Sequence, residues 1–377
     1  MIYLDYAATC PIDKEALAAY TEIAANYFSN TNSLHDMGGE AASVLENCRK
    51  QFANLLGVQA EGLYFTSGGS ESNFLSIHAL LASLPSEKNH LITAMGEHSS
   101  IHSTMKVLEQ KGYEVTYLPY KKTGMIDLAQ LEQAIQPNTA LVSIQHVNSE
   151  TGAIQPIEAI SLLCRSHHVL FHSDLVQSFG KLPLPRLAAL VDGFSVSSHK
   201  FYGPKGVGAA YVHPKIKRQS FYPGTTHENG FRPGTVNTPA IAAMVVAANK
   251  AIQQLAQESK HFKKLRQVFL DKIVDNPLLS VIENQAQLPS TIALRIKETE
   301  GQWVLLESNR RGFAISTGSA CQIGQQAPSK TMKALGYSDE EAKELVRISF
   351  GRHTTLKEVE QFADTLQEIA KRMHQLQ

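Results

Sequence analysis

Short apolar runs alternate with segments of helical period along the first two-thirds of the chain. The runs Gly62 to Thr66, His90 to Ala94, Val115 to Leu118, Ala140 to Val147, Val169 to His172, Phe194 to Val196 and Gly208 to Val212 are predicted strands. Between them, Gly39 to Leu56 carries Ala41, Val44, Leu45, Cys48, Phe52 and Leu55 at spacings of three and four, the stripe of a helix with one buried face. Asp127 to Ile135 and Ile157 to Ser166 repeat that spacing more weakly. Strands alternating with helices in this way predict an α/β fold with a mostly parallel sheet covered on both faces.

The texture changes after Gly234. A helix rich in small residues, Pro239 to about Leu255, leads into the charged stretch Glu258 to Lys272. Beyond it the pattern reads strand (Leu279 to Ile282), strand (Ile292 to Ile296), helix (Trp303 to Arg311), strand (Ala314 to Thr317), helix (Pro328 to Leu335), strand (Val346 to Phe350) and helix (Leu356 to Met373). We therefore expect a large domain over residues 14–255, a smaller α+β domain over 256–377, and residues 1–13 joining the two. A chain of 377 residues exceeds the size at which one core keeps growing, which agrees with such a division.

With 35 Lys+Arg against 35 Asp+Glu the formal charge is zero, so no basic field would draw the chain to nucleic acid or acidic lipid. The start, MIYLDYAATC, lacks a basic leader, and no apolar run is long enough to span a bilayer. The expectation is a cytoplasmic protein with no membrane and no direct nucleic-acid partner. Cys10, Cys48, Cys164 and Cys321 are far apart, which suits reduced thiols better than disulfides or an iron–sulfur ligand set.

Four stretches carry chemistry. FTSGGSESN, Phe65 to Asn73, follows a strand and opens a helix, where free amides and close backbone approach favour an anion; the bland alternative is a serine N-cap. Asp174 in HSDLVQS and Lys200 in SSHKFYGPKG both follow apolar strands, at the sheet edge where ligands converge. An acid and a lysine there suit pyridoxal phosphate, which needs an amine for its aldehyde and a carboxylate for its ring nitrogen; a salt-bridged Asp with a solvated Lys is the alternative. Cys321 sits between Gly318 and Gly324, in a loop that gives a thiol access, whereas Cys48 and Cys164 read as buried small hydrophobes and Cys10 stays undecided. His98 and His102 have a zinc-compatible spacing, but no Glu or cysteine cluster accompanies them, so a ring stacked on a flat cofactor is the better use of His98 and no metal is expected.

Taken in order with YLDYAAT, GEHSS, VNSETG, FRPGTVNT, STGSAC and VRISFGRHTT, these stretches resemble the cysteine desulfurases of the NifS/IscS group, fold-type-I pyridoxal phosphate enzymes related to class V aminotransferases. The resemblance covers essentially the whole chain. It implies a large cofactor-binding domain built on a mostly parallel seven-stranded sheet plus a smaller α+β domain. It implies that Lys200 holds pyridoxal 5'-phosphate, Asp174 pairs with the pyridine nitrogen, Gln177 meets the ring hydroxyl, and His98 stacks on the ring and moves protons. Gly69, Ser70, Ser197 and His199 would hold the phosphate, Thr235 would reach the phosphate of the other subunit in a homodimer, Asn148 would lie near ring hydroxyl and substrate, and Arg347 would clamp the carboxylate of L-cysteine. Cys321 would take the sulfur as a persulfide, leaving L-alanine, and pass it to an acceptor protein for iron–sulfur clusters, thio-cofactors or tRNA. Cys10, Ser70 and Ser198 stand where the family has other residues, and QIGQQAPS after Cys321 differs from the commoner loop. The same fold also serves selenocysteine lyases and other pyridoxal phosphate transferases, and a scaffold that lost its chemistry is a further alternative, against which Lys200, Asp174, His98 and Arg347 all stand.

Overall fold

The computed structural model describes residues 1–217, 220–222, 224–318 and 328–375. Among the described residues the strands are β1 (Ile2–Tyr3), β2 (Leu63–Thr66), β3 (His90–Ala94), β4 (Glu114–Leu118), β5 (Thr139–Ser143), β6 (Leu170–Asp174), β7 (Gly193–Ser197), β8 (Gly208–Val212), β9 (Leu279–Val281), β10 (Thr291–Ile296), β11 (Phe313–Ala314) and β12 (Leu345–Ser349). Seven of them form one sheet in the order β2-β8-β7-β6-β5-β3-β4. The pairs from β7 through β4 are parallel, while β8 runs against both β7 and β2. Strands β3, β5, β7 and β8 are buried along their whole length, which is why they read as continuous apolar runs rather than as alternations.

The fifth strand is shorter than its apolar run. Past Ser143 the contact with β6 continues, Ile144 N–H donating to His172 O and His146 N–H to Asp174 O, but on the other side Gln145 N–H turns from β3 to the Glu97 carboxylate. The helix expected from Gly39 begins at Asp36, where His35 caps it by accepting from Gly38 N–H. The helices Lys14–Asn26 and Ser99–Glu109 have no counterpart in the expected elements.

Between Thr238 and Ile273 the chain is one helix, capped by Asn237. Its first half, with Ala240, Ala243, Ala247 and Ala251, packs into the core on the large sheet. Its second half turns Phe262, Leu265, Phe269 and Ile273 into another core, shared with Leu4, Ile292, Val346 and Phe362, that covers the antiparallel sheet β12-β10-β9. The first residues of the chain bridge distant parts: β1 pairs in parallel with β11, and Asp5 bridges to Ser349 at the end of β12. Among the described residues no helix is long and apolar enough to cross a membrane.

Candidate active site

A cavity of about 290 Å³ lies where the parallel strands end, within the size range of small-ligand sites. Each parallel strand there hands over to a loop or a helix N-terminus, so side chains from distant sequence positions face one space. Gly69, Ser70, His98, Asp174, Gln177, Ser197, His199, Lys200 and Arg347 all line it.

At one end β2 runs into the helix Gly69–Leu81, whose N-cap is Gly68 with φ +150° and no side-chain cap bond. The first amides of that helix are thus left for a ligand. Space there is tightly set: a Cβ on Gly69 would meet Val176 Cγ2 at 2.9 Å, and one on Gly208 would meet Val196 O at 2.6 Å and Gly68 Cα at 2.8 Å. Ser70, Ser197 and His199 stand around the same end. His199 Nδ1 lies 3.1 Å from Thr9 Oγ1, and burial together with Lys200 pushes its pKa down to about 4, so it is a neutral ring.

In the middle, Asp174 is fixed by two donors: Asn73 Nδ2 to its Oδ2 at 2.8 Å and Val176 N–H to its Oδ1 at 2.8 Å. Asn73 also donates to Ser100 Oγ at 3.0 Å. Ser100 N–H in turn donates to His98 Nδ1 at 3.2 Å, with Ser100 Oγ 2.8 Å from that nitrogen. In this arrangement Nδ1 is the acceptor, so the neutral His98 ring carries its proton on Nε2. His102 instead sets Nε2 3.0 Å from Met95 O and stacks on Tyr117, so its ring is committed away from His98.

Lys200 Nζ donates to Ala7 O at 2.7 Å and Ala8 O at 2.8 Å. Burial, with Arg347 and Lys181 adding to it, pushes its pKa down to about 8, which makes an appreciable fraction of free amine near neutrality. Gln177 Nε2 donates to the same Ala7 carbonyl at 2.9 Å. Arg347, on β12, is held by Asp5 at 2.7 Å and Ser149 O at 3.0 Å, and its buried Nε has no partner among the described residues.

Two expected residues, Asn148 and Thr235, stand elsewhere, and the expected Cys321 falls outside the described residues. Asn148 lies behind the wall made by Val147 and Ser149, its Nδ2 donating to Gly96 O and Thr331 Oγ1 while its Oδ1 accepts from Glu150 N–H and Thr151 N–H. Its amide is thereby spent on protein, which fits a residue that shapes the wall. Thr235 is exposed in the loop before the long helix and does not line the cavity of its own chain. Cys321 lies outside the described residues, although Gly318 and Pro328 both border the cavity. Cys10, Cys48 and Cys164 are buried, and burial raises each thiol, Cys48 to about 11 and Cys164 to about 12.

The motifs did not single out Asn73, Glu97, Glu150 or the carbonyls of Ala7 and Ala8. Asn73 was legible in principle, four residues after Gly69 and hence on the same helix face. Glu97, beside His98, is buried with its pKa raised well above the carboxylate range, and its Oε2 has no partner among the described residues. Burial also raises Glu150, which accepts from Ser329 Oγ.

The donor set fits pyridoxal phosphate: a primary amine with a depressed pKa, a carboxylate held by two donors, and an uncapped helix N-terminus with glycine, hydroxyl and imidazole groups for a phosphate. The model of the aminotransferase class-V family matches residues 2–362, and this chain belongs to that family. Among its relatives, a protein named as a putative cysteine desulfurase NifS from Bacillus subtilis is 48% identical over 97% of this chain and 93% of its own. A solved NifS-like protein superposes with a TM-score of 0.90 at 31% identity, covering 98% of this chain and 99% of that one. The structure of SspA in complex with cysteine gives a TM-score of 0.82 at 34% identity over 94% of this chain and all of that one.

Proposed function

We propose that this chain is a pyridoxal-phosphate-dependent cysteine desulfurase that converts L-cysteine to L-alanine and carries the sulfur as a persulfide on Cys321. The observation that carries the reading is the meeting of Lys200, Asp174, His98 and Arg347, from four separate stretches of sequence, on one cavity. The relative found with cysteine bound supports the substrate class.

Bound pyridoxal phosphate supplies an electron sink for charge that develops at the substrate α-carbon. Lys200 is the amine that would hold its aldehyde carbon, Asp174 would serve the ring nitrogen, Gln177 the ring hydroxyl, and Gly69, Ser70, Ser197 and His199 the phosphate. Arg347 takes the substrate carboxylate, for which the planar fork of guanidinium is suited. His98 holds its proton on Nε2, ready to exchange with substrate. The Cys321 thiolate attacks the substrate sulfur, so that an S–S bond forms as the C–S bond breaks; the electron pair of the C–S bond goes to the amino-acid fragment, whose β-carbon takes up a proton so that the fragment leaves as alanine. Support for Cys321 is twofold: the described cysteines are buried and burial raises each of their thiols, and Gly318, three positions before Cys321 in sequence, lines the cavity.

The same proposal includes residues 14–255 as the cofactor domain and 256–377 as the small domain, a cytoplasmic homodimer with Thr235 serving the partner's site, Asn148 holding the wall behind the substrate in place of contacting it, and delivery of sulfur to an acceptor protein for iron–sulfur clusters, thio-cofactors or tRNA. The test is an absorbance spectrum of purified protein with an assay for alanine and sulfide from L-cysteine under dithiothreitol, comparing wild type with Cys321→Ala and Cys10→Ala. A yellow protein whose sulfide release is lost only in Cys321→Ala is expected. Activity that survives Cys321→Ala, or a protein that takes up no pyridoxal phosphate, overturns the reading.

A further inference from the structure

Behind the wall that carries Gln177 lies a second lysine. Lys181 Nζ donates to Gln177 Oε1 at 3.0 Å, while Gln177 Nε2 donates to Ala7 O at 2.9 Å. The two ends of a primary amide have nearly the same shape but opposite hydrogen-bonding character. Burial lowers the pKa of Lys181 from its ordinary value; in its protonated form the ammonium accepts nothing, so only the oxygen can then face Lys181, and the NH2 group is left for the carbonyl and the cavity. Turning the amide over would set NH2 against ammonium and oxygen against oxygen. Lys181 has no carboxylate within ion-pair distance among the described residues, and it borders two small enclosed spaces of about 20 and 10 Å³ that are shared with Glu258 and Ser290. A partly buried ammonium without an acid partner is costly, so its retention beside a cavity-lining amide calls for a use.

Resting on the functional reading above, we propose that Lys181 is a positioning residue that fixes the Gln177 amide with its NH2 toward the cavity, so that Gln177 meets the ring hydroxyl of bound pyridoxal phosphate as a donor. A donor there stabilises the ionised hydroxyl, and losing it raises the pH at which the cofactor's conjugated system gives up its proton. Charged and titratable groups around Lys181 act on the same midpoint: Lys200, Cys10, Arg347, Glu258 and His199, with Arg352, Tyr6 and Tyr202 beyond them. Removing a cation also raises neighbouring proton affinities through space, whatever Gln177 does. The experiment must therefore separate orientation from field.

The probe is the pH midpoint of the visible absorption change of bound pyridoxal phosphate, measured in wild type, Lys181→Met, Gln177→Ala and the double variant. We expect Lys181→Met to move the midpoint up by about one unit, a tenfold change, and to move it by less than a third of that when Gln177 is already alanine. Equal shifts in both backgrounds, or no shift, overturn the proposal. If Lys181→Met does not fold, Lys181→Gln keeps a donor for Gln177 Oε1 without the charge. Its midpoint is expected to stay within about a twofold change of wild type, and a full-unit rise there assigns the effect to charge and overturns the proposal. A wild-type protein that binds no pyridoxal phosphate overturns the functional reading and this inference with it. A chromophore present in wild type and unshifted in Lys181→Met overturns only the role of Lys181.

Discussion

Arg347 Nη2 stands 2.7 Å from Asp5 Oδ1, across a separation of 342 residues. The pair is buried on the arginine side, so the guanidinium reaches the cavity already oriented. Arg347→Lys keeps the charge but loses the planar fork, and kcat/KM for L-cysteine is expected to fall about 100-fold, chiefly through KM. Asp5→Asn, which weakens the orienting contact only, is expected to cost about tenfold. Steady-state kinetics across a cysteine series measures both; an Arg347→Lys enzyme with unchanged KM would remove Arg347 from substrate binding.

An amine adds to an aldehyde only when unprotonated, and Lys200 is pushed down to about 8. Uptake of pyridoxal phosphate by cofactor-free protein should accelerate with pH and level off above about 8. Stopped-flow absorbance gives the rate, and one that keeps rising through the ordinary lysine range contradicts the depressed value. The linked stability has the same sign: between about 8 and 10.5 the unfolded chain holds a proton that folded Lys200 has shed, so this group's contribution makes the cofactor-free protein more stable as pH rises through that window.

Backbone on both sides hems in Gly208, with Val196 O and Gly68 Cα both under 3 Å from an added Cβ. Neither can give way like a flexible side chain. Gly208→Ala is expected to cost about 1–3 kcal/mol in denaturant unfolding and to weaken cofactor affinity by displacing the Gly68–Gly69 turn. As a control, Gly39→Ala, with nothing within 4 Å in the helix Asp36–Leu56, should be neutral or stabilise by up to about 1 kcal/mol.

Glu228 receives both amine ends of Arg49 at 2.8 Å and the Phe65 amide at 2.7 Å, all buried. Glu228→Ala takes away the buried carboxylate of Arg49, which keeps only Glu46 and Leu63 O, and leaves the Phe65 amide without its acceptor, at a cost of about 2–4 kcal/mol. Arg49→Met combined with Glu228→Leu should recover part of that loss. Guanidinium unfolding of wild type and the two variants decides it, and a double variant worse than the single one contradicts the account.

Much of the large sheet was legible because its strands are buried on both faces and therefore stand out as apolar runs. The change of texture near Leu255 was real, but it marks no break in the helix. Ala240 to Ala251 fit closely against one core, while Phe262, Leu265, Phe269 and Ile273 serve another with charged residues between them, so one continuous helix changes composition as it changes neighbours. Of the site, residues in motifs were found and their supports were not. Lys181 and Glu97 are single polar residues whose burial follows from tertiary neighbours and leaves no periodic signal in sequence, whereas Asn73 had only its helical spacing from Gly69 to point to it. His98 and Asp174, by contrast, follow recognisable strands.

The anchoring of Ile2 to Ala8 by β11, Ser349 and Lys200 also fixes an order of assembly. Ile2 to Ala8 leave the ribosome on the order of tens of seconds before Ser349 does, and wait that long for it. Until Ser349 has emerged, the Ala7 and Ala8 carbonyls have no firm seat, and Lys200 lacks both of its acceptors. A nascent chain can thus fold most of its large sheet early while its amine site stays unfinished, and competence to hold a cofactor arrives only after β12 has been made.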